Sequence, residues 1–114
     1  MIKGLEAILI NSENAKKLAK FYEDVVGIKI KEEYEMGEAG SAFEMDVKSG
    51  SAIYINDHSE IKCQSKDAKR MIFNLEVDNI EEEVARLDKE GVKKIKDTYH
   101  IEGYGMIATF EDPD

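Results

Sequence analysis

Residues 5–30 read LEAILINSENAKKLAKFYEDVVGIKI, and residues 70–94 read RMIFNLEVDNIEEEVARLDKEGVKK. In the same order, both stretches contain a short apolar strand, a polar stretch ending in Asn, an amphipathic helix, and Gly followed by a β-branched residue. Asn14 and Asn79 are 65 positions apart, and the apolar helix positions that follow them keep this spacing. The sequence therefore predicts a duplicated half-domain. Two paired halves create a cleft, and clefts between repeats are common sites for small ligands.

The first half is predicted to have the order strand, helix, strand, strand, strand. Leu5 to Ile10 is apolar, and Asn14 is a favourable residue for the start of the helix that follows. Apolar residues recur in that helix at steps of three and four positions, which is typical of one buried face, and Gly27 ends it. The remaining strands are predicted at residues 28–30, 43–47 and 51–56, with a tight hairpin turn at residues 48–50.

The second half repeats this order but stops one strand short. Met71 to Val77 alternates like a strand, Asn79 begins a helix that ends at Gly91, and later strands are predicted at residues 92–97 and 106–110. A counterpart of the strand at residues 51–56 is missing before Asp114, which leaves open whether the natural chain continues. We expect a single domain, with module one at about residues 1–57, a polar connector at 58–69 and module two at about 70–114.

The two modules resemble the vicinal-oxygen-chelate superfamily, which includes glyoxalase I, extradiol dioxygenases and bleomycin-resistance proteins. The resemblance is carried by KFYEDVVGI at residues 20–28, by NLEVDN at residues 74–79, and by Tyr104-Gly105 followed by FEDPD at residues 110–114. It implies an α+β fold in which two tandem βαβββ modules form a curved mixed sheet around a cleft. It also implies a homodimer, because short members of this superfamily commonly pair.

Enzymes of this superfamily bind a divalent ion through His or Glu on the first and last strands of each module. The first-strand positions fall on Ala7 and Ile72, whose side chains have no lone pair to donate to a metal. The strand at residues 51–56 contains no His, Glu or Asp, and the remaining position would lie beyond Asp114. The resemblance therefore implies that the standard metal site is absent, and we expect no cofactor.

The predicted ligand site consists of residues expected to face the cleft. Met and Tyr suit an irregular small molecule, because Met is adaptable and Tyr has an apolar body with a polar tip. Asn74 and Glu76 share a strand face with Ile72 and need partners if buried, since an unsatisfied polar group costs about 1–3 kcal/mol. Strand alternation does not show which face of the hairpin formed by the strands at residues 43–47 and 51–56 turns inward. We therefore expect half of the apolar residues in the candidate set to lie in the core. The full set is Phe43, Met45, Tyr54, Ile72, Asn74, Glu76, His100, Tyr104 and Met106.

Charge and composition restrict the partners. The formal net charge is −9 at pH 7, which opposes binding to nucleic acid or to an anionic membrane surface and favours a cationic or neutral ligand. No apolar run in the sequence is long enough to span a bilayer. Cys63 is the single cysteine, so an intramolecular disulfide is excluded and a cytoplasmic location is expected.

The preferred interpretation is a metal-independent small-molecule-binding protein of the glyoxalase and bleomycin-resistance type. One alternative is a lyase, isomerase or dioxygenase that uses a divalent metal ion held by relocated ligands such as His58, His100 and Glu102. Both His residues are explained more simply as solvated loop residues. Another alternative is a regulatory dimer whose cleft is filled by its own side chains. The sequence does not decide whether any reaction is catalysed.

Overall fold

A computed structural model describes residues 1–48 and 50–114. The described residues form two compact units: unit 1 comprises residues 1–64 with Asp114, and unit 2 comprises residues 65–113. Helices and strands are both present, which confirms the α+β class. The predicted hairpin turn at residues 48–50 includes Ser49, which lies outside the described residues. No helix in the described ranges is long and apolar enough to cross a membrane.

Unit 1 is a four-stranded mixed sheet with one helix packed on it. Its strands are β1 (Ala7–Ser12), β2 (Ile30–Glu35), β3 (Ser41–Met45) and β4 (Ala52–Asp57), in the spatial order β1-β4-β3-β2. The pairing of β1 with β4 is parallel, and the other two pairings are antiparallel. Helix α1 spans Ala15–Phe21 and continues into a π-helical turn at Tyr22–Val26.

Local sequence signals set both ends of this helical segment, as predicted. The Asn14 side chain accepts a hydrogen bond from the Lys17 N–H at 3.1 Å, which satisfies one of the unpaired donors of the first turn. At the other end Gly27 has φ +98°, a left-handed conformation that other residues rarely adopt. The Gly27 N–H donates to the Tyr22 carbonyl at 2.8 Å and closes the π-helical turn. These two residues therefore define where the helical segment begins and ends.

One face of the unit 1 sheet packs against α1 and forms the core. Phe43 and Met45 on β3 pair in register with Ile55 and Ile53 on β4, and all four side chains are buried. The buried face of α1 consists of Ala15, Leu18 and Ala19. Burying a large apolar side chain stabilises a fold by about 1.5–3 kcal/mol, so this face carries most of the hydrophobic stabilisation of unit 1.

The Asp57 carboxylate joins three elements of unit 1. Its Oδ1 accepts from the Ala15 N–H at 2.7 Å, at the first turn of α1, and its Oδ2 accepts from the Ser41 N–H at 2.9 Å, at the start of β3. Gly40 makes room for it: a Cβ added there would lie 2.6 Å from Asp57 Oδ2, and φ is +93°. A carboxylate that accepts two backbone N–H groups makes charge-assisted bonds, which are stronger than neutral ones.

We predict that Asp57→Asn lowers the free energy of unfolding by about 1.5–3 kcal/mol, because the amide nitrogen cannot accept one of these two bonds.

Gly40→Ala should be destabilising for a different reason, the clash with the carboxylate. Gly37→Ala is the matched control, since Gly37 also has a positive φ (+61°) but its Cβ would have no neighbour within 4 Å. Urea unfolding followed by circular dichroism measures all three. Equal losses for Gly40→Ala and Gly37→Ala would contradict the role of the close approach.

Glu23 ties the π-helical turn to β2. Its Oε2 accepts from the Ile30 N–H at 2.7 Å, and its Oε1 pairs with Lys20 Nζ at 2.9 Å. The hydrogen bond from Ile30 and the nearby Lys20 ammonium both favour the ionised carboxylate, so they lower the pKa of Glu23 from its ordinary value of 4.5. The π-helical turn thus places a carboxylate where it holds the first residue of β2.

This shift in pKa predicts a pH dependence of stability. A carboxyl group whose pKa is lowered on folding contributes stability above its unfolded pKa, and that contribution is lost as pH falls through the folded pKa. The stability difference between the wild type and Glu23→Gln should therefore be largest near neutral pH and shrink below about pH 4.5. Urea unfolding at a series of pH values tests this. A difference that stays constant down to about pH 3 would contradict it.

Unit 2 contains helix α2 (Ile80–Lys89) and an antiparallel pair of strands, β5 (Lys93–Ile101) and β6 (Gly105–Glu111). Asn79 caps α2 as predicted, because its side chain accepts from the Glu82 N–H at 3.2 Å. The predicted strand at residues 71–77 is wrong, since these residues are not assigned to any strand. The physical reason is visible in unit 1, where the equivalent strand β1 pairs with β4. The described part of unit 2 has no counterpart of β4.

Candidate functional site

The face of the unit 1 sheet opposite α1 carries a continuous row of side chains. Leu9 on β1 pairs in register with Tyr54 on β4, and Tyr54 pairs with Glu44 on β3. Because side chains alternate along a strand, these residues point away from the buried face. Leu9 is 60% exposed although it lies in the middle of β1. We call Leu9, Tyr34, Glu44 and Tyr54 the open sheet face.

Tyr34 on β2 extends this row with a polar contact. Its hydroxyl donates to Glu44 Oε1 at 3.1 Å, and Lys31 Nζ lies 3.7 Å from Glu44 Oε2. The hydrogen bond to the Glu44 carboxylate favours the protonated phenol and raises the pKa of Tyr34. The open sheet face therefore combines apolar surface, two phenol groups and one carboxylate. Such a surface can hold a small molecule with an apolar body and a cationic or hydroxyl group.

The unit 1 residues of the predicted ligand site lie on opposite faces of the sheet. Tyr54 is on the open sheet face and is half-buried. Phe43 and Met45 are each 2% exposed and point toward α1, so they are part of the core. The sequence alone did not determine which side of this hairpin faces the core. The packing of α1 against one face of the sheet determines it.

In unit 2 the predicted residues lie in exposed positions. Asn74 donates through its side-chain amide to the Tyr104 hydroxyl at 3.0 Å, which brings the segment at residues 71–77 next to the turn between β5 and β6. Met106 on β6 pairs in register with His100 on β5. Ile72, Asn74, Glu76, His100, Tyr104 and Met106 are all exposed, and the contact between Asn74 and Tyr104 joins two of them.

The donor set does not fit a metal ion. Among residues 1–48 and 50–114, no three or more His, Cys, Asp or Glu side chains are grouped so as to hold a metal, so His58, His100 and Glu102 belong to no such group. The two first-strand positions at which the family resemblance implies a ligand carry Ala7 and Ile72, which have no donor atom. His58 instead accepts from the Glu60 N–H through Nδ1 at 3.1 Å, a local contact within its loop. We therefore derive no chemistry through a metal.

Comparison with known proteins identifies the family. The model of the Glyoxalase/Bleomycin resistance protein/Dioxygenase superfamily matches residues 4–114. The chain therefore belongs to this superfamily, as its sequence motifs indicated. A search of curated protein sequences finds no match.

Solved structures share this fold at low sequence identity. One is TnmS3, an antibiotic-binding protein from Streptomyces sp. CB03234, with a TM-score of 0.74 at 20% identity over 99% of this chain and 89% of that chain. Another is a glyoxalase family protein from Enterococcus faecalis, with a TM-score of 0.69 at 19% identity over 98% and 91% of the two chains. The trypanothione-dependent glyoxalase I of Leishmania major has a TM-score of 0.70 at 17% identity over 99% and 81%.

Sequence reasoning did not find three members of the open sheet face, Leu9, Tyr34 and Glu44. Leu9 lies in the apolar run at residues 5–10, which predicts a strand but not which of its side chains is exposed. The strand pattern at residues 43–47 gives no link between Glu44 and Tyr34, which is ten positions earlier. The signal that could have found them is cross-strand register, since residues paired across a sheet lie on the same face.

We predict that Glu44→Gln lowers the pKa of Tyr34 toward its ordinary value of 10.0, because a neutral amide stabilises the phenol less than a carboxylate does. Ultraviolet titration of tyrosinate measures this, with Tyr34→Phe used to assign the transition. Glu33→Gln is the matched control: Glu33 is exposed on the same strand as Tyr34 but pairs with Phe43 on the other face of the sheet. A Tyr34 transition that Glu44→Gln leaves unchanged would show that the contact is not made in solution.

Proposed function

We propose that the protein binds a small organic molecule on the open sheet face without the help of a metal ion. The observation that carries the proposal is the row of Leu9, Tyr54 and Glu44, which exposes apolar and polar groups side by side on the face opposite α1. Such mixed surfaces, with few polar groups on a mainly apolar wall, are typical of ligand sites. The ordered sheet beneath them holds the side chains in place before a ligand arrives, which reduces the entropic cost of binding.

Membership of the superfamily supports binding but does not select a ligand, because one fold can host many functions. TnmS3, which shares the fold, is described as an antibiotic-binding protein. A binding role needs affinity and no reacting group, which agrees with Ala7 and Ile72 at the positions where metal ligands are implied. We therefore place metal-independent binding ahead of catalysis.

Charge favours a cationic ligand within this proposal. The net charge of −9 attracts cations at long range. At short range the Tyr34 hydroxyl positions the Glu44 carboxylate, and a cationic group of the ligand would replace Lys31 Nζ, which lies 3.7 Å from Glu44 Oε2. The ligand class we favour has an apolar body and an amine or guanidinium group. We also propose that the protein is cytoplasmic and works as a homodimer. Sedimentation velocity of the purified protein would test the homodimer.

The test is a thermal-shift screen of apolar amines against neutral compounds of the same shape. A ligand present at 100 times its Kd should stabilise the protein by about 2.7 kcal/mol. Glu44→Gln should weaken binding of the amines about tenfold or more, because a hydrogen bond to a charged group is lost, and should leave the neutral compounds unaffected. Tyr54→Ala should weaken binding of both classes.

Two results would overturn the proposal. Hits whose affinity is unchanged in both Glu44→Gln and Tyr54→Ala would show that the ligand binds elsewhere. Glu33→Gln serves as the control for a general effect of charge, since Glu33 is exposed and lies off the open sheet face. Stoichiometric retention of zinc, nickel, manganese or iron by the purified protein, measured by mass spectrometry, would overturn metal independence.

A further inference from the structure

The sheet of unit 1 separates uncharged and charged side chains across its width. On the face opposite α1, the residues of β1 and β4 carry no charge, and the structure describes all of them. They are Ala7, Leu9, Asn11, Ala52, Tyr54 and Asn56. The other two strands place two carboxylates on the same face, since Glu44 on β3 pairs in register with Glu32 on β2. A ligand on this face therefore meets uncharged side chains on one side and carboxylates on the other.

Leu9, Tyr54 and Glu44 form one line that crosses the strands. Leu9 is the in-register partner of Tyr54, and Tyr54 is the in-register partner of Glu44, so the line joins three neighbouring strands. Because neighbouring strands are about 4.7–4.9 Å apart, Leu9 and Glu44 are separated by about 9.5 Å. This separation defines the minimum length of a ligand that contacts both residues.

The uncharged end of the line offers a surface that a ligand can cover. Leu9 is 60% exposed, and Tyr54 beside it is half-buried. Removing exposed apolar surface from water favours binding in proportion to the area covered. An apolar body that extends from Tyr54 to Leu9 therefore gains more than one that stops at Tyr54.

The charged end of the line already holds a cation. Lys31 Nζ lies 3.7 Å from Glu44 Oε2, while the Tyr34 hydroxyl donates to Glu44 Oε1 at 3.1 Å. The Lys31 side chain is 61% exposed and that of Glu44 is 18% exposed, so the ammonium approaches the carboxylate from the solvent side. Ion pairs with an exposed partner contribute little to stability, and Lys31 can therefore leave Glu44 at low cost.

We propose, on the basis of the proposed function, that the ligand is an elongated molecule with an ammonium or guanidinium group at one end, and that it lies across the strands of unit 1. Its cationic group pairs with Glu44 in place of Lys31, and its apolar body covers Tyr54 and Leu9. Lys31 is then a residue that determines specificity, because a neutral molecule makes no ion pair with Glu44 that could displace it.

The first test compares butylamine with octylamine by chemical-shift titration of the whole isotope-labelled protein. Octylamine is long enough to reach from Glu44 to Leu9, and butylamine is not. Leu9→Ala should weaken binding of octylamine about threefold or more and leave butylamine unchanged, because it removes apolar surface that only the longer chain covers. Leu5→Ala is the matched control, since Leu5 is 67% exposed but precedes β1 and lies outside the line.

The second test removes the competing cation. Lys31→Met keeps most of the apolar stem and should tighten binding of both amines about fivefold, the effect of removing a like charge about 4 Å away in water. Binding of octanol should not change. Lys16→Met is the matched control, because Lys16 is exposed on α1, on the other side of the sheet, and its loss changes the net charge equally.

Either of two results would overturn this orientation of the ligand. One is that Leu9→Ala weakens both amines equally, and the other is that Lys31→Met leaves their affinity unchanged. If Glu44→Gln still weakens the amines in those cases, binding on the open sheet face stands and the orientation alone is wrong. If neither amine shifts the resonances of unit 1, both the orientation and the proposed binding of cationic ligands are wrong.

Discussion

The Asp57 carboxylate is the contact on which the arrangement of unit 1 depends. It lies at the end of β4 and binds the first turn of α1 and the first residue of β3, so one side chain positions three elements. Gly40 is required beside it because any side chain there would collide with the carboxylate. Since β3 and β4 carry Glu44 and Tyr54, the same contact also holds the open sheet face together. The Asp57 carboxylate therefore stabilises both the fold of unit 1 and the strands that carry the candidate site.

The internal repeat is completed in unit 1 and incomplete in unit 2. In unit 1, β4 lies inside the sheet and supplies two buried side chains, Ile53 and Ile55. In unit 2 the flanking elements are present, but the described residues include no strand between them.

Superfamily membership explains the fold, while the chemistry depends on individual side chains. The same βαβββ arrangement can present metal ligands or an apolar surface, depending on what stands at a few positions of the sheet. Here the first-strand positions carry Ala7 and Ile72, and the open sheet face carries tyrosines and a carboxylate held by one of them. This composition is the basis on which we propose binding rather than catalysis.

Local features of the structure were predictable from the sequence. Asn14 and Asn79 start the helices and Gly27 ends the first, because caps depend on residues within one turn of each other. The pattern of apolar residues and turns also predicted the order of elements in unit 1.

Features that depend on distant residues were decided by the tertiary structure alone. Residues 71–77 alternate like a strand but are not in one, because a strand requires a partner and alternation does not provide it. Phe43 and Met45 face inward and Tyr54 outward because α1 packs on one side of the sheet. Leu9 is exposed in an apolar run, and Tyr34 meets Glu44 across two strands. The sequence by itself determined caps, periodicity and the repeat, whereas partner strands and the covered face of the sheet depend on contacts between distant residues.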